Sequence, residues 1–285
     1  MLEGYDLDVV SVCTPSYLHR EHVIDSAESA ANPDVIWCEK PIATSVSDAE
    51  KMIDTCDSAG TELIINHSFR FTKKVRKVKQ LIEDGLIGDV KAINAQFRRE
   101  LMRNSTHLLD LIVFFLRERA NEILGYINGE NDAVEALDGS RKVEDAGGGG
   151  IVVTEDGTFI TIDCTVARDI SSMGIQFIGT EGKLYLNNDD GEWRYWSLED
   201  GDHVERQIPG IDGAWSWDTD YRKAFPAATD HILQILEDDL ENISPGTHAL
   251  RSLEIIIGFY LSHYTGGHVE TPLEPPLRDV EIASW

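Results

Sequence analysis

From Asp8 to Asn66 the chain alternates short β-branched runs with amphipathic stretches, and few folds accommodate that pattern. The runs are Asp8-Val9-Val10-Ser11-Val12-Cys13, Val35-Ile36-Trp37-Cys38 and Glu62-Leu63-Ile64-Ile65-Asn66, with helical spacing from Leu18 to Ala31 and from Ser47 to Ala59 between them. Strands this continuously apolar, joined by helical crossovers, belong in a parallel sheet covered on both faces. Gly60 sits where the second helix needs its C-cap, and Ser45 or Ser47 opens that helix as its N-cap.

Beyond Arg70 the pattern changes. Val75, Val78, Leu81 and Ile82 put an apolar stripe on a basic helix from Lys73 to Asp84, whose charge run reads as its solvated face. Longer, alternating strands follow: Lys91 to Arg98, Gly150 to Thr154, Thr158 to Val166, Gly174 to Gly179, Lys183 to Asn187 and Trp193 to Ser197. Turn sequences such as Glu155-Asp156-Gly157 and Asn188-Asp189-Asp190-Gly191 separate them, which makes the sheet largely antiparallel. Two helices, about Tyr221 to Leu240 and Thr247 to Thr265, are expected to cover one face of it. Gly147 to Gly150 reads as a flexible lead-in to a strand.

Charge narrows the function classes. Lys and Arg number 25 against 51 Asp and Glu, a net charge of −26 spread along the 285 residues rather than collected in a tail. That field repels phosphate backbones and anionic lipid, so nucleic-acid and membrane-surface binding are excluded and a small-molecule partner is expected. Self-repulsion of this size is tolerated where salt screens it, which points to a halophile-like proteome. No run approaches a membrane span and the N-terminus lacks the pattern of a secretory signal, so a cytoplasmic location is expected. Cys13, Cys38, Cys56 and Cys164 lie far apart inside apolar segments, and read as buried reduced thiols without a metal site.

Three stretches carry candidate chemistry. Cys13-Thr14-Pro15-Ser16-Tyr17-Leu18-His19 ends the first strand, where open α/β sheets place their ligand crevice; small polar groups there let a ligand approach, although a polar Pro turn is also an ordinary strand ending. Glu39-Lys40-Pro41 ends the second, where low-dielectric walls would tune the Lys40 ammonium to hydrogen-bond or protonate a substrate oxygen; the plain alternative is an exposed Glu39/Lys40 pair. Asn104-Ser105-Thr106-His107-Leu108-Leu109-Asp110 opens a helix, and a His in a first turn is either a proton acceptor near neutral pH or a structural residue.

These stretches together resemble the Gfo/Idh/MocA family of oxidoreductases. Asp8 to Pro41 is similar to the second half of its Rossmann domain, with the Thr-Pro-x-x-x-His turn and the Glu-Lys-Pro signature. Asn66-His67-Ser68-Phe69-Arg70-Phe71 is similar to the family's passage from cofactor to substrate domain, and the likeness continues through Gly85-Leu86-Ile87-Gly88, Gly179-Thr180-Glu181-Gly182 and Pro272-Leu273. The resemblance implies a fold of α/β plus α+β: a partial Rossmann parallel sheet over residues 1–70, then a larger substrate and oligomerisation domain over 71–285 with a mostly antiparallel open sheet covered by helices.

The resemblance also implies NAD or NADP as cofactor, with Thr14, Pro15, Ser16, His19, Glu39, Lys40 and Asn66 on the cofactor side. Lys40 and His107 become the catalytic pair, and Arg70, Arg103, Asn104 and Asp110 the substrate-binding set. Arg103 is a departure, since many members place an Asp there; it either binds an anionic substrate group or points to solvent, and Asn104 stands in the neighbouring place. The family's Gly-rich turn and ribose-binding acid are not found in the sequence, and Gly147 to Gly150 precedes no helix, so the first half of the Rossmann unit is expected to be missing and Val9, Val10 and Val12 to lie on an open edge. The expected activity is hydride transfer between nicotinamide and a sugar, inositol or related polyol or keto compound, in a homo-oligomer formed through the substrate-domain sheet. The alternatives are a regulatory ligand-binding homologue, or a redox-neutral sugar-modifying enzyme of the same fold.

Overall fold

A computed structural model describes residues 2, 4–116, 118–128, 143–167, 169–170, 173–238 and 240–283. Strands β1 (Val9–Val12), β2 (Val35–Cys38) and β3 (Glu62–Ile65) form a parallel sheet in that order, connected by helices α1 (His19–Ala27) and α2 (Val46–Ala59). Both caps of α2 are as the sequence foretells: the Ser45 hydroxyl accepts the Asp48 amide at 3.2 Å, and Gly60 closes the helix in the left-handed region at φ 73°. Helix α3 (Lys73–Glu83) follows, buries Val75, Val78, Leu81 and Ile82, and leads to the second unit.

That unit is built on nine strands: β4 (Val90–Arg98), β5 (Ala120–Asn128), β7 (Gly147–Thr154), β8 (Phe159–Val166), β9 (Gly174–Gly179), β10 (Gly182–Asn187), β11 (Trp193–Glu199), β12 (Asp202–Arg206) and β13 (Val269–Glu270). Their order is β12-β11-β10-β9-β4-β8-β7-β5-β13, antiparallel throughout except where β4 runs parallel to β8. A short parallel pair joins β6 (Val143–Glu144) to β14 (Ile282–Ala283). Helix α4 (Thr106–Leu116) lies beneath β4, and α6 (Gly246–Thr265) rests on β5, α4 and α2.

Three expectations need correction. Helix α5 (Ala224–Asp238) does not join α6 on the large sheet: its Ala224, Ala228 and Ile232 pack on Val35, Ile64 and Phe71, so α5 covers the second face of the small parallel sheet. The sequence demanded a cover for both faces, but nothing local says it comes from 160 or more residues downstream. Gly147 to Gly150 is strand, paired with both β5 and β8, with Gly147, Gly148 and Gly149 buried. Cys13 is exposed, whereas Cys38, Cys56 and Cys164 are buried, and all four thiols are free.

The segment before α6 closes the outer edge of β3: Ile65 N–H donates to Ser244 O at 2.9 Å, the Ser244 hydroxyl donates to Ile65 O at 2.6 Å, and Asn242 reaches Glu62 and Leu63 O. At the opposite edge β1 pairs with β2 alone among the described residues, yet Val10 and Val12 are buried in the shared core. No helix among the described residues is long and apolar enough to cross a membrane.

Candidate active site

The carboxyl ends of β1, β2 and β3 meet the start of α4, and several buried polar atoms that make no hydrogen bond lie there. Thr14 Oγ1, Asn66 Oδ1, both ring nitrogens of His67 and Nδ1 of His107 are enclosed without a hydrogen bond. Orphaned buried polar atoms are rare in folded proteins, and several in one place mark a site built for something else to bind. A surface depression of about 460 Å³ lies elsewhere, beside α3, and is lined by Lys73, Lys74, Arg76 and Lys77. The buried polar groups without hydrogen bonds favour the strand ends.

On the sheet side, Glu39 follows β2 and accepts the Asn66 side-chain amide at 2.7 Å, which leaves Asn66 Oδ1 free to receive a donor. His19 is buried, with Nδ1 2.9 Å from Pro41 O and Nε2 2.8 Å from Thr14 O. It staples the turn after β1 to the turn after β2, so its place in the site is to fix the two turns. Pro15 is exposed and Ser16 buried at the start of the single turn Ser16–Leu18.

Lys40 projects from the end of β2 across to the second unit, where its Nζ donates to Arg103 O at 2.9 Å. Burial lowers its pKa below the usual 10.5; Glu39 opposes this, and Arg103 adds to it. His107 is the second residue of α4 and is half-buried. Burial drives its pKa well below 6.5, the Lys40 charge adds to that, and the imidazole is therefore neutral at physiological pH. His67, whose pKa burial also drives far down, meets His107 edge to face at 6.0 Å between ring centroids, and Phe69 flanks His107 at 5.6 Å.

The four residues expected to bind substrate separate into different roles. Arg103 has an exposed side chain, and it is its peptide that enters the site, through the oxygen that receives Lys40. Asn104 is turned back to its own loop, donating to Arg99 O at 3.0 Å and to Glu100. Arg70 and Asp110 are turned to each other: Nε and Nη2 each reach a carboxylate oxygen at 2.7 Å, with both side chains wholly buried. Arg70 also donates to Ile243 O at 2.8 Å, and its Nη1 lies 2.9 Å from His248 Nδ1. This pair ties the segment after β3 to α4 and α6, and it offers no exposed donor to a ligand.

Two residues of the site had no signal strong enough to be singled out. His67 stands inside the quoted Asn66 to Phe71 stretch, but only its enclosure beside His107 distinguishes it. Asp145, just before the glycine strand, accepts Met102 and Arg103 amides at 2.9 Å each, and only the folded chain brings it there. As a chemical arrangement, an ammonium and a neutral imidazole converge beside unpaired acceptors and donors at a sheet's carboxyl edge. In general an ammonium can hold an oxygen and a neutral imidazole can take its proton.

The residues at these strand ends suit a dinucleotide's nicotinamide end, since Thr14 Oγ1 and Asn66 Oδ1 are available to its polar groups. Comparison agrees. Residues 1–67 match the model of an oxidoreductase family with an NAD-binding Rossmann fold. A 2,7-anhydro-N-acetylneuraminate hydratase of Mediterraneibacter gnavus is 45% identical over 85 residues, which is 30% of this chain and 22% of that protein. A D-apiose dehydrogenase of Paraburkholderia graminis is 25% identical over 293 residues, 95% of this chain and 74% of that one. Among solved structures, the WlbA dehydrogenase of Bordetella pertussis in complex with NADH and UDP-GlcNAcA superposes with a TM-score of 0.74 at 21% identity, covering 96% of this chain and 82% of that one.

Proposed function

We propose that the chain, whose residues 1–67 match the Gfo/Idh/MocA oxidoreductase family, acts on a sugar, inositol or related polyol or keto compound by hydride transfer to or from NAD or NADP. The observation that carries this reading is the convergence of Lys40 and His107 beside Asn66 Oδ1 and His67 Nδ1, which make no hydrogen bond, while His67 Nε2 lies 3.6 Å from Asp110 Oδ1. We assign residues 1–70 to the dinucleotide side and 71–285 to the substrate side.

When bound, the nicotinamide supplies the hydride acceptor or donor. The chain's own residues manage the oxygen and its proton. Lys40 donates a hydrogen bond to the reacting oxygen, polarising it in either direction. His107, neutral because burial holds its pKa down, accepts the hydroxyl proton as the carbon is oxidised. His19 holds the two strand-end turns in register, and the Arg70–Asp110 pair holds the start of α4 against the first unit. The exposed Leu124, Tyr126, Phe159 and Ile178 of the large sheet support self-association through that sheet, and the cytoplasm is the compartment this reading implies.

The test is turnover on a panel of aldoses, inositols and polyols, followed by reduced-nicotinamide absorbance. His107→Ala and Lys40→Ala are each expected to lower kcat by on the order of 10² or more, with the double variant little worse than the poorer single one. Near-normal turnover in a folded His107→Ala protein removes it as the base. The hydratase relative supports a second reading, redox-neutral chemistry on a sugar. In that case substrate disappears, by mass spectrometry, without any accumulation of reduced cofactor.

A further inference from the structure

The ammonium of Lys40 is held by a peptide, and the holder of that peptide decides where the ammonium sits. Arg103 lies in the five-residue turn Leu101–Ser105, wound one residue wider than an α-helix. Its wide winding is seen at Ser105, whose N–H donates to Glu100 O, five residues back, at 3.0 Å. The turn starts at Glu100 with φ 74°, a left-handed conformation that a residue with a Cβ disfavours. Such geometry persists only when surrounding groups impose it.

Asp145 is placed to impose it. Its Oδ1 accepts the Met102 amide and its Oδ2 the Arg103 amide, at 2.9 Å each. Next to it, Ala146 O accepts the Leu101 amide at 2.9 Å, so three successive N–H groups of the turn end on residues 145 and 146. The Tyr260 hydroxyl, from α6, hydrogen-bonds the same carboxylate and accepts the Ala146 amide at 2.7 Å. Arg103 is therefore gripped at its N–H by Asp145 and receives Lys40 at its oxygen.

We propose that Asp145 is the positioning residue for Lys40, its carboxylate fixing the Arg103 peptide and, through that peptide's oxygen, the place of the ammonium. The role deepens the proposed function, since Lys40 there meets the reacting oxygen, but the contact chain exists without substrate. The charged and titratable groups facing Asp145 are Glu100 from the turn, Tyr260 from α6 and Lys40 from the end of β2. Burial and Glu100 raise its carboxyl to about 6, against the pull of the two amides and Tyr260. Above that pH both oxygens accept; below it a proton occupies one of them and one amide loses its acceptor.

The experiment labels the folded, full chain with acetic anhydride and reads each lysine by mass spectrometry, as the ratio of Lys40 to exposed Lys91 at each pH. In the wild type the ratio is expected to be low above about pH 6 and to step up as pH falls through it. Asp145→Asn sets a side-chain donor against one of the amides, so the ratio is expected to rise about tenfold or more and to lose the step. Lys79, buried with its ammonium bound to Phe114 O, reports folding and is expected to stay protected. Should Lys79 also become labelled, Tyr260→Phe replaces it: removing a hydrogen bond that favours the carboxylate moves the wild-type step to higher pH. A Lys40 that stays protected in Asp145→Asn, or a step that does not move in Tyr260→Phe, overturns the proposal. Neither readout uses substrate or cofactor, so inactivity on sugars leaves the labelling result standing. Where turnover is measurable, Asp145→Asn is expected to lower kcat at neutral pH to the wild-type acid level with little change in KM.

Discussion

Arg70 brings a guanidinium into the core, where its side chain has no exposed surface. Desolvating a guanidinium costs several kcal/mol, and the geometry around it offsets that cost: two carboxylate oxygens of Asp110 at 2.7 Å and Ile243 O at 2.8 Å. Burial raises the Asp110 pKa while Arg70 pulls it down, so the carboxylate depends on its partner to stay charged. Losing one member is then much worse than losing both. Arg70→Met is expected to cost about 3–5 kcal/mol in denaturant unfolding, and Arg70→Met with Asp110→Leu clearly less than the sum of the singles. Additive losses would mean the two are not coupled, and would return Arg70 to the ligand side. The sequence exposed the residues but not this distinction. Lys40 and His107 were legible because strand ends and helix starts are where chemistry concentrates. That Arg70 faces Asp110 across 40 residues, and that Asp145 reaches the turn before α4, follows only from packing.

At the scale of elements, legibility followed the hydrophobic period. The three parallel strands and α2 and α3 announce themselves through continuous runs and clean helical spacing. Strand β5 does not: Ile123 and Ile127 are buried, but Leu124 and Tyr126 are exposed, so its apolar residues fall on both faces. The glycine strand is silent for a different reason, having no side chains to show a period. Glycine is used in this region because backbones approach closely. A Cβ at Gly125 would lie 2.3 Å from Phe259 Cα and 2.4 Å from Phe259 O, atoms of the α6 backbone that cannot turn aside. Gly125→Ala should therefore push α6 off β5 and lower stability by about 1–3 kcal/mol, as overpacking does elsewhere. Gly267→Ala, with nothing within 4 Å of its added carbon, is the matched control and is expected to be close to neutral. Equal melting temperatures for the two variants would show that the helix adjusts freely.

Over the whole molecule, one core runs through both units: Val10, Ile36 and Ile65 of the small sheet belong to the same cluster as Phe97, Ile160 and Phe177 of the large one. That continuity must hold against a net charge of −26. Two effects of salt oppose each other here. Screening weakens exposed ion pairs such as Arg206–Glu199 and Arg222–Asp218, which contribute little to begin with. It also weakens the mutual repulsion of 51 acidic groups offset by only 25 basic ones, a sum over many pairs within reach of one another. The Debye length falls from about 10 Å at 0.1 M to about 3 Å at 1 M, a range over which neighbouring surface carboxylates pass from interacting to independent. Repulsion dominates because the acids outnumber their possible partners two to one, so most of them gain from screening and few lose. The melting temperature is expected to rise by several degrees or more as potassium chloride increases from about 0.1 M to about 1 M. Sucrose, which strengthens burial by exclusion without screening charge, separates the two causes. If potassium chloride leaves the melting temperature unchanged while sucrose raises it, charge repulsion is not what limits this fold, and the acidity has no bearing on a saline habitat.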